Sequence, residues 1–152
     1  MMQKADILKA DVSDIPEIAL IEEKYIPNGW SEKAFSDWTN NQNTVIFKAV
    51  LDGEIIGFAN GSWVLDEAEL LNIAVVDQAR RKGVAAMLLD ALENYFMEKN
   101  AEKIFLEVRE KNLSAINFYE KHGFVKNGLR KNYYSNPIDN GVLMTKIIKT
   151  GE

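Results

Sequence analysis

Arg80-Arg81-Lys82-Gly83-Val84-Ala85 stands between an apolar run at residues 70–75 and a long amphipathic segment that opens at Gly83. The run Leu70-Leu71-Asn72-Ile73-Ala74-Val75 reads as a strand. Beyond the turn, Val84, Met87, Leu88, Ala91, Leu92, Tyr95 and Phe96 recur at the spacing of a helix with one apolar face, over residues 83–100. A turn of small residues at a helix start leaves several backbone N–H groups unpaired and unshielded. Those donors, the helix dipole and three flanking cations make an anion site suited to a pyrophosphate. The turn matches neither G-x-x-x-x-G-K-[ST] nor G-x-G-x-x-G, so the phosphate loops of the P-loop and Rossmann folds are excluded. The plain alternative is a solvated basic cap, although cations are unfavourable at a helix N-terminus unless an anion is present.

Working outward, the period of the apolar residues changes repeatedly and marks the other elements. Residues 6–9 form a short strand. Ser13 or Asp14 can cap a helix carrying Ile15, Ile18, Ile21 and Tyr25, with Pro16 tolerated in its first turn and Pro27-Asn28-Gly29 ending it. Ser31 caps a second helix with Glu32 favourable to its dipole. Strands at 45–51 and 55–64 are joined by Asp52-Gly53, a strong type I′ hairpin signal. A third strand covers 68–75 and another 104–108. A shorter helix spans 112–122 with Gly123 at its C′ position, and 124–125 and 142–148 supply the last strands. The order βααβββαβαββ implies an α/β chain with a mixed sheet.

The chain has 152 residues, the size of one domain, and no linker or repeat divides 1–152. Its 47% apolar and 27% charged fractions fit a globular protein. The absence of cysteine removes disulfides, thiolate metal sites and cysteine nucleophiles, and it fits a reducing compartment. A single histidine, His122, argues against multi-histidine metal sites and against a serine–histidine triad; it reads as a cation-capable group in a last helical turn. With 18 basic and 23 acidic residues the formal charge is −5. An acidic chain without a basic stripe is a poor nucleic-acid binder and a better host for amines and basic peptides. The opening MMQKADILKADVSDI lacks the apolar core of a signal peptide, and no apolar run reaches a membrane span. The expectation is a cytoplasmic protein with no membrane, metal or nucleic-acid partner.

The segment 80–85 matches the (Gln/Arg)-x-x-Gly-x-(Gly/Ala) signature of the GNAT superfamily of N-acetyltransferases, and the resemblance extends over nearly the whole chain. It is similar to the ribosomal-protein-alanine N-acetyltransferase branch, of the RimI type, through Trp30-Ser31-Glu32-Lys33, Leu65-Asp66-Glu67-Ala68, Leu71-Asn72-Ile73-Ala74-Val75, Leu106-Glu107-Val108-Arg109, Asn112, Tyr119-Glu120, Gly123-Phe124 and Arg130-Lys131-Asn132-Tyr133-Tyr134. The resemblance implies the GNAT fold, in which a splayed pair of parallel strands, here 70–75 and 104–108, holds acetyl-CoA. It implies backbone contacts to acetyl-CoA from Ile73, Ala74 and Val75, and a pyrophosphate cradle from Arg81, Lys82, Gly83, Val84, Ala85 and Ala86. Ala86 stands where relatives often carry Arg or Lys.

The same resemblance makes Glu107 the proton acceptor and Tyr119 the proton donor to the departing thiolate. It adds an acetyl-CoA contact from Asn112, itself a helix N-cap by its position, and places Trp30, Tyr133 and Tyr134 at the acceptor. Read from the residues alone, Glu107 is the one ionisable group within an apolar strand, where burial would raise its pKa. A solvated Glu or a salt bridge to Arg109 remains open. For Tyr119 the plain alternative is a core aromatic with a wet hydroxyl. Tyr133 and Tyr134, adjacent in an extended stretch, should point to opposite sides. Relatives of the branch carry Glu-Asp before the last strand; this chain has Asp139-Asn140, with one acidic group fewer. The implied reaction moves the acetyl group of acetyl-CoA to a primary amine, the α-amine of a protein or peptide N-terminus above all. A lysine or small-molecule acceptor, and a non-catalytic acetyl-CoA-binding module, are the alternatives.

Overall fold

The computed structural model describes residues 4–148, so the ends of the 1–152 span lie outside the described residues. Seven strands and four α-helices follow the order βααβββαβαββ: β1 (Asp6–Lys9), α1 (Ile15–Tyr25), α2 (Glu32–Thr39), β2 (Thr44–Leu51), β3 (Glu54–Val64), β4 (Glu67–Val75), α3 (Val84–Glu98), β5 (Lys103–Arg109), α4 (Leu113–Lys121), β6 (Val125–Tyr134) and β7 (Asp139–Ile147). The strands hydrogen-bond in the order β1-β2-β3-β4-β5-β7-β6. Among the described residues no helix is long and apolar enough to cross a membrane.

Two compact units divide the chain, the first made of residues up to Ser62 with Leu70–Tyr95. Its hairpin turns at Asp52 and Gly53, both at positive φ (53° and 78°), as a type I′ turn requires. Its core gathers Ile15, Ile18 and Ile21 of α1, Phe35 of α2, Ile46, Phe58 and Ala74. Full burial of each large side chain contributes about 1.5–3 kcal/mol. The cap of α1 differs from the expectation. Asp11 caps a short 3₁₀ turn by accepting from Ser13 N–H, while Asp14, at the N-cap of α1, makes no capping bond. The Asp14 carboxylate is instead drawn to Lys48 Nζ at 2.9 Å.

The second unit comprises Trp63–Glu69 and the residues from Phe96 on. Here β4 begins parallel to β5, with Glu67 opposite Lys103, Ala68 opposite Ile104 and Glu69 opposite Phe105. Strand β7 runs antiparallel to β5 along all of Lys103–Arg109. Ile104, Leu106 and Val108 of β5 are buried, so Phe105, Glu107 and Arg109 share the other, half-buried face. Strand β6 is far longer than the two residues its apolar content suggests. It is the last strand in the sheet and exposed along nearly its whole length, so no alternation of apolar and polar residues marks it.

Candidate active site

In the first unit the turn before α3 takes its shape from two residues at positive φ, Arg81 at 65° and Gly83 at 76°. The Gly83 carbonyl accepts the Met87 N–H at 3.0 Å and so starts the helix. The N–H groups of Val84, Ala85 and Ala86 precede the first such bond. No acidic residue occupies the first turn, and a Cβ at Gly83 would meet nothing within 4 Å. The three cations are not equivalent. Arg80 is already engaged: its Nε donates to Val75 O at 3.1 Å and lies 3.5 Å from Asp77 Oδ1, and its guanidinium lies 5.2 Å from the Tyr25 ring centroid. Arg81 and Lys82 are exposed and have no ion-pair partner among the described residues. Bare donors, two free cations and open space fit the pyrophosphate of acetyl-CoA. Of the three β4 residues expected to hold its acyl end, Val75 has its carbonyl engaged by Arg80, whereas Ile73 is half-buried and Ala74 buried.

Trp30 also lies in this unit. Its indole packs on Phe35 and Trp38, with centroids 5.0 and 5.4 Å away, and its main-chain N–H donates to Glu22 Oε2 at 3.0 Å. Glu22 is completely buried, and burial pushes its carboxyl above the usual range against the opposing pull of that N–H.

In the second unit Glu107 extends from the half-buried face of β5 with a side chain 14% exposed. Its Oε2 lies 3.2 Å from Arg130 Nε, so its ion-pair partner is Arg130 on β6 rather than Arg109. Arg109 donates instead to the carbonyls of Pro137 (2.8 Å) and Ser135 (3.1 Å) and covers the Tyr134 ring at 4.6 Å. Gly141 on β7 lets this cluster close. A Cβ there would stand 3.0 Å from Glu107 Oε2 and 3.2 Å from Tyr133 Cδ2. Tyr133 and Tyr134 do not diverge: their rings meet edge to face with centroids 5.0 Å apart. A register shift between Arg130 and Tyr134, with Asn132 at φ 55°, breaks the alternation that would have separated them.

Tyr119 is buried in α4, edge-on to Phe118 and Phe124. Burial first, and Tyr134 second, push its phenol well above the usual tyrosine value. Tyr134 is pushed up to about 12, by burial and then by the charge of Glu107. Both hydroxyls therefore carry their protons throughout the neutral range. Asn112 caps α4, its Oδ1 accepting from Ala115 N–H at 3.1 Å, and leaves its amide nitrogen for other use. His122 closes the helix against Phe118 at 4.6 Å.

The Asp139-Asn140 pair has structural tasks. Asp139 is buried, accepting from Lys111 N–H at 3.2 Å and Asn140 N–H at 2.8 Å. Asn140 donates to Glu110 and accepts from Asn132 N–H, both at 2.9 Å. Together they tie the β6–β7 hairpin to the turn before α4.

Two participants escaped the sequence reading. Arg130 is one. Glu69 is the other: opposite Phe105 in the parallel register, it shares a sheet face with Glu107 two residues along. Burial and the Glu107 charge push its carboxyl up, and Arg130 opposes them. The signal was the alternation Glu67-Ala68-Glu69-Leu70, which puts a carboxylate pair on one face of a strand.

The chain matches the family model described as acetyltransferase (GNAT) family over residues 14–124. The chain belongs to the GNAT family of acetyltransferases. It is 34% identical over 128 residues to the [ribosomal protein bS18]-alanine N-acetyltransferase of Escherichia coli K12, covering 84% of this chain and 86% of that one. To the protein of the same name from Haemophilus influenzae it is 37% identical over 143 residues, 91% and 95% of the two chains. The crystal structure of the ribosomal-protein-S18-alanine N-acetyltransferase from Escherichia coli superposes with a TM-score of 0.89 at 31% identity, covering 97% of this chain and 96% of that chain. The GNAT chain described here is thus an acetyl-CoA-dependent N-acetyltransferase, with the mixed α/β fold read from its sequence.

Proposed function

We propose that this GNAT enzyme acetylates the α-amino group of a protein N-terminus that begins with a small residue such as alanine, as on a ribosomal protein. The observation that carries the reading is the identity of 34–37%, over 84–91% of the chain, to enzymes named for N-terminal alanine acetylation. In the reaction, acetyl-CoA is held through its pyrophosphate by residues 81–86 and through its acyl arm by the backbone of Ile73, Ala74 and Val75, with a further contact from Asn112. The neutral amine attacks the thioester carbonyl. Glu107 takes the proton released from nitrogen, directly or through a water. The carbon–sulfur bond breaks, and Tyr119 gives its proton to the CoA thiolate. The desolvation that makes Tyr119 a weaker acid also makes a thiolate beside it a stronger base, so the transfer stays balanced. Trp30, Tyr133 and Tyr134 contact the acceptor.

Energetics favour an α-amine. Its pKa of about 7.7–8.0 makes deprotonation at pH 7 cost about 1–1.4 kcal/mol, against about 4.6 kcal/mol for a lysine at about 10.4. A carboxylate base suits the smaller task, and the negative formal charge draws in a basic tail. The reading takes 1–152 as one acetyltransferase domain working in the cytoplasm. It is tested by mass spectrometry of competing peptides, one set with free Ala or Ser N-termini and no lysine, the other with blocked N-termini and internal lysines. Preferential acetylation of the first set is expected; faster modification of the second would replace the proposed acceptor with a lysine.

A further inference from the structure

Glu22 lies on the buried stripe of α1 with Ile15 and Ile18, completely out of solvent. Three contacts tie the 26–30 segment to this one residue. Its main-chain carbonyl accepts the Ile26 N–H at 2.8 Å, and its Oε2 accepts the Trp30 N–H at 3.0 Å. Gly29 is pressed on its stem so closely that a Cβ there would stand 2.6 Å from Glu22 Cγ. On the opposite side the same Oε2 meets Asn72 of β4. With the Asn72 amide oriented to satisfy both ends, its nitrogen donates to Glu22 Oε2 at 3.3 Å and to Leu71 O at 3.1 Å, and its oxygen lies 3.2 Å from the buried Asn60 side chain. Asn72 immediately precedes Ile73, and Trp30 immediately precedes Ser31, the N-cap of α2. Glu22 Oε1 has no hydrogen-bond partner among the described residues.

A carboxyl group is a costly filler for such a place. An apolar side chain of similar volume generally packs a core as well or better, without a desolvated oxygen. What an apolar residue cannot do is grip the Trp30 N–H and the Asn72 amide at once. We propose that Glu22 is a positioning residue for the acceptor: it clamps the 26–30 segment, and with it Trp30, to β4, and thereby sets acceptor affinity rather than turnover. The inference rests on the assignment of Trp30 to the acceptor in the proposed function.

Three variants separate the clamp from other roles. Glu22→Gln retains an acceptor oxygen, Glu22→Met retains the stem but no acceptor, and Gly29→Ala leaves Glu22 intact while forcing a methyl against it. Steady-state kinetics with an Ala-first peptide should show the acceptor KM raised about tenfold in Glu22→Met and Gly29→Ala, about 1.4 kcal/mol of binding. The kcat and the acetyl-CoA dissociation constant should stay within twofold, and Glu22→Gln should match the wild type throughout. Hydrogen–deuterium exchange gives a readout free of turnover: amides 26–31 should exchange at least tenfold faster in the first two variants and normally in Glu22→Gln. Gly29→Ala carries the test should Glu22→Met not fold. An unchanged acceptor KM with unchanged exchange overturns the clamp, and so does a loss of kcat and acetyl-CoA affinity in place of KM. Faster exchange in the variants together with no peptide acetylation by the wild type supports the clamp and strikes at the proposed acceptor.

Discussion

Gly83 and Gly53 offer a matched pair of perturbations. Both sit at nearly the same positive φ, 76° and 78°, and a Cβ built on either meets nothing within 4 Å. Alanine at each position therefore incurs the same conformational penalty, about 1–2 kcal/mol for an L-residue held in the left-handed region, and no steric one. At roughly 2–4 °C per kcal/mol for a chain of this size, both variants should melt about 2–8 °C below the wild type. Their effects on ligand should diverge. Gly53 is at the tip of the β2–β3 hairpin, whereas Gly83 carries the carbonyl that starts α3. A methyl at Gly83 stands where a pyrophosphate must approach the N–H groups of residues 84–86. Losing one hydrogen bond to a charged group removes about 1.5–3 kcal/mol, so acetyl-CoA affinity should fall roughly 10- to 100-fold. Calorimetric titration of acetyl-CoA into Gly83→Ala, Gly53→Ala and the wild type reads both quantities against one control. Equal affinities in the two alanine variants would refute the phosphate turn, because strain would then be the whole effect.

Glu107→Gln should leave acetyl-CoA affinity unchanged and lower kcat by about 10²–10⁴-fold at neutral pH, with partial recovery as solvent deprotonates the amine at higher pH; a pH–rate profile identical to wild type would make Glu107 structural. Tyr119→Phe keeps the ring packing against Phe118 and Phe124 and should lower kcat more than tenfold with donor affinity intact, so turnover within twofold of wild type would move the thiolate's proton to another source. Gly141→Ala drives a methyl to 3.0 Å from Glu107 Oε2 and 3.2 Å from Tyr133 Cδ2, and single-turnover kinetics should show slower acetyl transfer with unchanged acetyl-CoA binding. The raised carboxyl of Glu22 means that the folded state keeps a proton the unfolded chain has lost. Stability from this group therefore falls as pH rises from its ordinary 4.5 through the raised value. Glu22→Gln should gain in melting temperature relative to wild type across that window, and parallel curves would count against it.

Most elements were legible because each obeys a simple period. Helix α3 shows its apolar face from Val84 to Phe96, β2 and β3 flank the Asp52-Gly53 turn, and the order of elements follows directly. What stayed hidden depends on partners distant in sequence. The full extent of β6 has no pattern because a strand exposed along its length at a sheet edge imposes no burial on alternate residues. The pairing of Glu107 with Arg130 arises because β5 and β6 both align on β7, with Leu143 opposite Glu107 and Gly141 opposite Arg130. Nothing local to either residue carries that information.

One kind of signal marks two residues the sequence reading undervalued. Glu22 stands where the α1 stripe calls for an apolar side chain, seven residues after Ile15, and Glu69 stands in a β-run two residues before Leu71. Burial of either is unfavourable unless something accepts the charge or the hydrogen bond. Local propensity, pattern and packing agree over most of this chain, and such agreement is what makes a fold easy to read. The positions where they disagree are those where folding alone would have chosen another residue. Glu107 was singled out by that logic and pairs with Arg130 in the candidate site. Applied evenly, the same logic points to Glu69, which shares its sheet face, and to Glu22, which grips Trp30. A polar residue that breaks the period of its own element is therefore a functional signal of the same kind as the phosphate turn, where cations stand at a helix start and Arg81 takes a φ of 65°.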